Sequence, residues 1–399
     1  MDKLIEASEQ SRHRWAYHDL IGRDPSLPFR ICAINLHRTF GDFIESCVFA
    51  ASVKLLFDHA VLSIVFRNDR PYKQTVLRLM PQLDLPWQMN DEYLIPLEAF
   101  DFAGAQKIAF DSEAWKVGHG DKPNLVLTPW MMNRVMLPSF DTLARFQFPD
   151  NLSAQEDVRL RATGLDPNGW FCVLHYREAG YEYWGARPNR DLNVENIVPV
   201  IQHVTKTLGG QVVRVGHRGM SPIPKIDGFF DLASAEDPAF LHAYAISRSR
   251  FFLELSPSGP YAFAIGFGVP LARCGAVAPS GSVDKRSIVL PQHVVGPDNK
   301  RVPLEDLLRL GLLEEGIIDR QLVKHGYRWE KNSVEEFKRA AKEMVQLTED
   351  CPGWRDQKIQ ALPTNKPNKF EWPMPATISH RIIEYPDLAP NFGTAAPNC

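Results

Sequence analysis

The sequence predicts an α/β protein built from two doubly wound parallel-sheet domains. Three observations predict it. Short apolar runs at 31–36, 61–66, 170–175, 211–215 and 250–255 are bounded by breakers, as strands buried on both faces are. Stretches with apolar residues at helical spacing lie between these runs, so strand and helix alternate. The alternation also occurs twice, with a turn-rich stretch at 161–169 between the two series.

Taken in order, residues 1–28 read as helical and then loop-like. A strand at 31–36 leads into a helix over 41–59, with Phe43, Ile44, Cys47, Val48 and Leu55 on one stripe. A strand at 61–66 completes a βαβ unit. A helix at 73–80 and a strand at 107–110 extend it. Residues 112–168 hold Pro, Gly and Asn breaks and a helix near 154–162. The second series opens at 170–175. A helix over 194–208 ends at Gly209 and Gly210, and strands follow at 211–215 and 229–232. Helix 239–247, strand 250–255, helix 260–267 and strand 269–273 close the series. Ser333 and Glu336 form a capping box that opens a helix over 335–348. The expected domains are therefore 1–163 and 164–350. The Pro- and Asn-rich tail 351–399 is expected to pack back on the first domain.

The chain has 399 residues, enough for two cores, and 44% of them are hydrophobic. Its 45 basic and 48 acidic residues leave a net charge of −3, which argues against a nucleic-acid partner. The six cysteines form no CxxC pair; Cys32, Cys172 and Cys274 sit in apolar runs and read as core residues in a reducing compartment. The N-terminus has no apolar signal region, and no stretch is long and apolar enough to span a bilayer. A cytoplasmic protein is expected, with room for peripheral membrane contact.

Four strand-to-helix turns carry the chemistry, since ligands of open α/β sheets bind at the carboxyl ends of strands. The first holds Asp42, followed one turn later by Glu45. A carboxylate there reads either as a general base for a hydroxyl or as a plain helix cap. The second holds His175 and Arg177, with Arg187 and Arg190 close behind. An Arg fork and an imidazole suit phosphate oxygens, although a solvated loop with a structural His fits too. The third spans Arg214, Gly216, His217 and Arg218; a buried Arg214 needs an anion, either a protein carboxylate or a ligand phosphate. The fourth runs from Glu254 through Ser256, Ser258 and Gly259. Its two hydroxyls and the Gly259 amide can face one diphosphate without a metal, or the segment is an ordinary βα turn. Gly266 and Gly268 let the following helix stop sharply. No Walker A, HExxH, GxSxG or DxD motif occurs, and GxGxxG is absent after the first strand, so neither metal nor bound cofactor is expected.

The second half resembles a group of bacterial glycosyltransferases. The residues that carry the likeness are Leu174 to Arg177, Asn189-Arg190, Val213 to Gly216, Ser256 to Gly259, Gly268 to Pro270, Asn332 to Glu336 and Glu343-Met344. More weakly, Gly41-Asp42 and the Ser-Gly turn are similar to the lipopolysaccharide heptosyltransferases, in which an aspartate at this turn is proposed as catalytic base. Those enzymes usually carry a His just after the glycine, where Pro260 and Tyr261 stand here, so the likeness does not carry a particular sugar across. The resemblance implies a GT-B fold, two Rossmann-like domains facing a cleft. A nucleotide sugar would serve as co-substrate on the second domain, and a glycan, lipid-linked glycan or protein acceptor would sit on the first. It further implies inverting, metal-independent transfer, with Asp42 or Glu45 as base. His175, Arg177, Arg190, Arg214, Gly216, His217, Arg218, Glu254, Ser256, Ser258 and Gly259 would hold the donor. Two alternatives stay open: a nucleotide-sugar epimerase using Asp42 with His217, and a non-catalytic nucleotide-sugar-binding protein.

Overall fold

The computed structural model describes residues 16–17, 28–57, 59–88, 123, 125–127, 132, 143–179, 189–276, 287–303, 306, 326–349 and 377–378. The chain divides into two compact units, Met1–Pro149 and Asp150–Cys399.

The first unit contains β1 (Ala16–Tyr17), β2 (Phe29–Asn35), α1 (Phe40–Lys54), β3 (Ala60–Phe66), α2 (Pro71–Arg78), β4 (Leu85–Gln88) and β5 (Leu125–Leu127). Its sheet order is β1-β5-β2-β3-β4, with β1 antiparallel to β5 and the other neighbours parallel. Strands β2 and β3 pair in register from Phe29↔Ala60 to Asn35↔Phe66. Both are mostly apolar, with Arg30 and Asn35 in β2 and Ser63 in β3 as exceptions, because both faces of a parallel sheet are covered. Helix α1 is buried from Gly41 to Val53, except at Asp42. Its Ser46 hydroxyl donates to the Met132 carbonyl, 2.9 Å away, and its Ser52 hydroxyl accepts from the Ala144 amide at 3.0 Å. The helix is thereby covered on sides that a surface helix would leave open. The expected strand at 107–110 lies outside the described residues. Residues 16–17, expected in a helical or loop segment, form a strand.

The second unit starts with α3 (Asp150–Arg161), earlier than the expected boundary at 163–164. Polar bonds explain the correction. Tyr244 donates to Asp157 at 3.1 Å, and Arg159 donates to the carbonyls of Glu236 and, at 3.2 Å, Asp237. Upstream, the Gln147 amide donates to Leu79 in the first unit at 2.8 Å. The chain therefore changes allegiance between 147 and 150, before the turn-rich linker rather than at it.

Then come β6 (Phe171–His175), α4 (Val194–Gln202), β7 (Gln211–Arg214), β8 (Phe229–Asp231), α5 (Pro238–Arg248), β9 (Phe251–Glu254), α6 (Tyr261–Phe267), β10 (Leu271–Ala276), β11 (Ile288–Pro291), β12 (His293–Val295), β13 (Arg328–Glu330), α7 (Val334–Thr348) and β14 (Thr377–Ile378). The expected helix 194–208 breaks into α4 and a π-helical turn at His203–Thr207. Pro199 inside α4 lacks the amide that would bond one turn back, so the regular ladder is already weakened there. Helix α6 ends at Gly268, whose φ of 71° is the left-handed cap expected there; Gly266 instead lies buried inside the helix. The capping box of α7 is complete: Ser333 Oγ accepts from the Glu336 amide at 3.3 Å, and the Ser333 amide donates to Glu336 Oε2 at 2.7 Å. Phe337, Ala340 and Met344 of α7 join Leu174, Phe251 and Cys274 in one apolar core.

The large sheet runs β14-β11-β10-β9-β6-β7-β8, all parallel. From β8 to β11 this is the 3-2-1-4-5-6 order of the dinucleotide-binding folds, with β6 as the first strand. Successive strands run outward from β6 in one direction and from β9 in the other. Right-handed crossovers therefore place helices on both faces, as a doubly wound sheet requires. Antiparallel β12 and β13 form a small separate pair. The tail expected to pack on the first domain lies mostly outside the described residues; Thr377 and Ile378, however, pair with Ile288 and Val289 of β11 and extend the second sheet.

Candidate functional site at the sheet's switch point

In an open parallel sheet, the strand order reverses at one place, and adjacent loops there leave in opposite directions and open a crevice. In the second unit that place lies between β6 and β9, whose last residues, His175 and Glu254, are register partners. The sequence puts its two most polar turns at these two strand ends.

His175 is 5% exposed and bonded at both ring nitrogens. Nδ1 lies 2.8 Å from the Val215 carbonyl, and Nε2 lies 2.8 Å from Ser258 Oγ. Burial pushes its pKa down to about 4, against the weaker upward pull of the Val215 carbonyl. The ring is therefore neutral at physiological pH. A carbonyl can only accept, so Nδ1 carries the hydrogen and Nε2 accepts from the Ser258 hydroxyl.

The Ser258 turn is braced from below. Its amide donates to Glu254 Oε1 at 2.7 Å. Glu254 has no exposed surface, and its Oε2 lies 3.3 Å from Arg273 Nε, on the neighbouring strand. Arg273 in turn stacks 4.5 Å from the centre of the Tyr261 ring, at the start of α6. Ser256, 2% exposed, accepts from the Arg177 amide at 2.8 Å, and the Leu255 amide donates to the His175 carbonyl at 2.9 Å. Ser258, Gly259 and Pro260 remain half-exposed. The Gly259 carbonyl receives the Ala262 amide, while its own amide has no protein acceptor among the described residues.

This arrangement corrects several expectations. Glu254 and Ser256, expected among the donor-binding residues, are buried and bonded to the Ser258 and Arg177 amides. The Ser258 amide is bonded to Glu254, while Ser258 and Gly259 as residues stay half-exposed. Arg214 is 2% exposed, and its fork is occupied by protein. Nε donates to Asp231 at 2.9 Å, Nη2 donates to the same carboxylate, and Nη1 donates to Tyr176 at 2.8 Å and to the Ser221 carbonyl at 2.9 Å. Arg214 and Asp231 are register partners at neighbouring strand ends, so the anion that a buried arginine needs comes from the next strand.

The remaining expected residues lie around this core. Arg177 is half-buried and pairs with Asp191 at 2.9 Å. Arg190 is half-buried in the turn just before Asp191. Arg187 lies outside the described residues. At Gly216 a Cβ would stand 2.1 Å from Met220 Sδ, so the methionine side chain would have to shift to admit one. His217 accepts the Gly219 amide at 3.1 Å, and exposed Arg218 makes a long 3.4 Å bond to the Ala235 carbonyl. Glu178 was missed: it is 9% exposed and accepts the Ser221 amide at 2.8 Å, tying the loop after β6 to the loop after β7. Only its place three residues beyond His175 marked it in the sequence.

Asp42 and Glu45 belong to the first unit. Asp42 is exposed in the first turn of α1, and Thr39 donates its hydroxyl to Asp42 Oδ2 instead of capping the helix. The carboxylate sits at the positive end of the helix dipole. Glu45 is 3% exposed, so it lacks ready access to water, and Asp42 is the better placed of the two carboxylates. Among the described residues no three His, Cys, Asp or Glu side chains gather as a metal site, and no helix is long and apolar enough to cross a membrane.

No family model matches the chain, and no curated protein matches it. Among solved structures it is similar to a family 9 glycosyl transferase from Veillonella parvula, at 16% identity over 80% of this chain and 98% of that chain, with a TM-score of 0.49. It is similar to the ADP-heptose lipopolysaccharide heptosyltransferase II of Escherichia coli, at 13% identity over 79% and 99% of the two chains, with a TM-score of 0.45. A UDP-GlcNAc 2-epimerase from Neisseria meningitidis also aligns, at 10% identity over 79% and 98% of the chains, with a TM-score of 0.33. Likenesses this distant leave the activity to the chemistry of the site itself.

Proposed function

We propose that the protein transfers a glycosyl group from a nucleotide sugar to an acceptor hydroxyl, with inversion and without a metal ion. The observation that carries the reading is the switch point of the second sheet. There the Ser258–Gly259 turn, bonded to His175, presents an amide hydrogen and a hydroxyl oxygen at the place where such sheets take phosphates. The motifs that resemble the glycosyltransferases, at Leu174–Arg177, Val213–Gly216 and Ser256–Gly259, fall at or just beyond the carboxyl ends of β6, β7 and β9. That common edge is a second support.

Departure of a nucleoside diphosphate concentrates negative charge on its outer phosphate. The Gly259 amide supplies one hydrogen bond to that oxygen without reorganising, and the guanidinium groups of Arg177, Arg190 and Arg218 add positive potential around the edge. Asp42 accepts the proton of the attacking hydroxyl. An exposed carboxylate oriented by the Thr39 hydroxyl suits that task.

The experiment is a thermal-shift screen against UDP-, GDP-, ADP- and dTDP-sugars, followed by transfer assays to hydroxyl acceptors with the donor that shifts most. Transfer that persists in excess EDTA, with an inverted anomeric centre in the product, is the expected outcome. A product whose sugar is epimerised and still bound to its nucleotide would replace this reading with the epimerase one. Binding without turnover would leave a nucleotide-sugar-binding protein.

A further inference from the structure

The His175–Ser258 pair faces an anion the wrong way round. The Val215 carbonyl takes the Nδ1 hydrogen, so the neutral ring must accept at Nε2. Ser258 has one hydroxyl hydrogen and spends it there. Only lone pairs then face outward from Oγ. Phosphate oxygens at physiological pH are acceptors as well, so the resting arrangement opposes the ligand the turn is otherwise shaped to hold.

Two changes could reverse the hydroxyl. Moving the ring hydrogen from Nδ1 to Nε2 would set two acceptors, Nδ1 and the Val215 oxygen, against each other at 2.8 Å in a buried place. Adding a proton at Nε2 avoids that clash. The Nδ1–H bond to Val215 stays, Nε2–H donates to Ser258 Oγ, and the Ser258 hydrogen becomes available to a phosphate oxygen. The proton comes from solvent, and no covalent bond is made or broken.

The geometry points to a proton-linked site: a diphosphate bound at the β6–β9 switch point draws one proton onto His175, and Ser258 relays that positive charge to a phosphate oxygen. This rests on the nucleotide-sugar reading and specifies how its diphosphate is held. The surroundings of the ring resist the proton. Burial disfavours a cation there most, and His242 on α5, His217 in the loop after β7 and Arg214 on β7 add to it, leaving the ring pKa at about 4. Glu254, its register partner on β9, has its carboxylate bonded to Ser258 and beside Arg273. A diphosphate beside Ser258 brings negative charge that offsets a protonated ring. Its affinity then weakens as pH rises, by up to about tenfold per unit between the ring's two titrations.

Calorimetry tests it with UDP-glucose, GDP-mannose, ADP-glucose and dTDP-glucose, whose diphosphates do not titrate between pH 5 and 8. Each is titrated at pH 6 in two buffers of different ionisation enthalpy, so the proton count is read directly. The expected result is uptake approaching about one proton for the probe that binds. Uptake should vanish in Ser258→Ala and His175→Gln, and Ser258→Ala serves alone if His175→Gln does not fold. Binding without proton uptake overturns this inference and leaves the nucleotide-sugar reading standing, as does uptake that survives in folded Ser258→Ala. Binding of none of the four probes overturns both.

Discussion

Two strand-to-helix turns of the same general kind end up built on opposite principles. At Asp42 a single exposed carboxylate stands on a long buried helix, with one hydroxyl beside it. At Ser258 a turn with no charge of its own is held by a buried carboxylate, a buried imidazole and an arginine behind them. The first turn can lose its functional group and keep its shape, because the Asp42 side chain is exposed and bonds to Thr39 beside it. The second owes its shape to its polar groups, so function and stability cannot be separated there. Buried polar networks behave this way because each member is costly to orphan.

Substitutions at the two turns should therefore diverge. Asp42→Asn removes the proposed base while the amide oxygen still accepts from Thr39. Transfer is expected to fall by about 10²- to 10⁴-fold, with stability changed by less than about 1 kcal/mol, as enzyme assays and urea melts would read. A folded variant with near-normal turnover removes Asp42 from the role. Glu254→Gln should do the reverse of a clean functional change. It keeps an acceptor for the Ser258 amide but removes the negative charge beside the buried Arg273 guanidinium, and about 1–3 kcal/mol of stability should go, measured as the urea midpoint of the second unit. A midpoint that does not move would mean that the Glu254 charge does not hold the turn.

Acid supplies a third comparison. His175 and His242 are both pushed down to about 4 by burial, below the ordinary 6.5. The unfolded chain then binds more protons than the folded one between those values, so stability should fall as pH drops from about 6.5 to 4. The loss is on the order of 3 kcal/mol per histidine at the acid limit. Glu336 joins below about 4.5, since its contacts with His293 and Ser333 hold its pKa at about 2 despite burial. Denaturation midpoints flat from pH 7 to 4.5 would contradict the buried neutral rings. The smallest effect belongs to Ser333→Ala, which opens the capping box of α7 and should cost about 1 kcal/mol, with ligand binding untouched.

The parts legible in the sequence were those written by local physics. The apolar runs of β2, β3, β6 and β9 declare buried parallel strands. The capping box fixes the start of α7, and small hydroxyl residues after β9 mark a turn at a strand end. What stayed hidden depends on neighbours distant in sequence. The partner of Arg214 is the residue opposite it on another strand, and the tautomer of His175 is set by a carbonyl at Val215. Neither relation has a linear spacing to read. The short strands β4, β5 and β11 to β13 carry too few residues for periodicity to register, and β4 contains Pro86. The domain boundary was misplaced because Gly and Pro mark flexibility of the chain, whereas Tyr244 and Arg159 decide which body α3 joins.

The pairing of Thr377 and Ile378 with β11 has a consequence for how the molecule avoids its own kind. A parallel sheet left bare at its margin offers a row of unmatched amides and carbonyls on which a second copy can dock. The chain covers that margin with a piece of itself drawn from far downstream. A protein shortened after Thr348 would present β11 as the outermost ribbon, and its first fault should be concentration-dependent clumping rather than loss of heat tolerance.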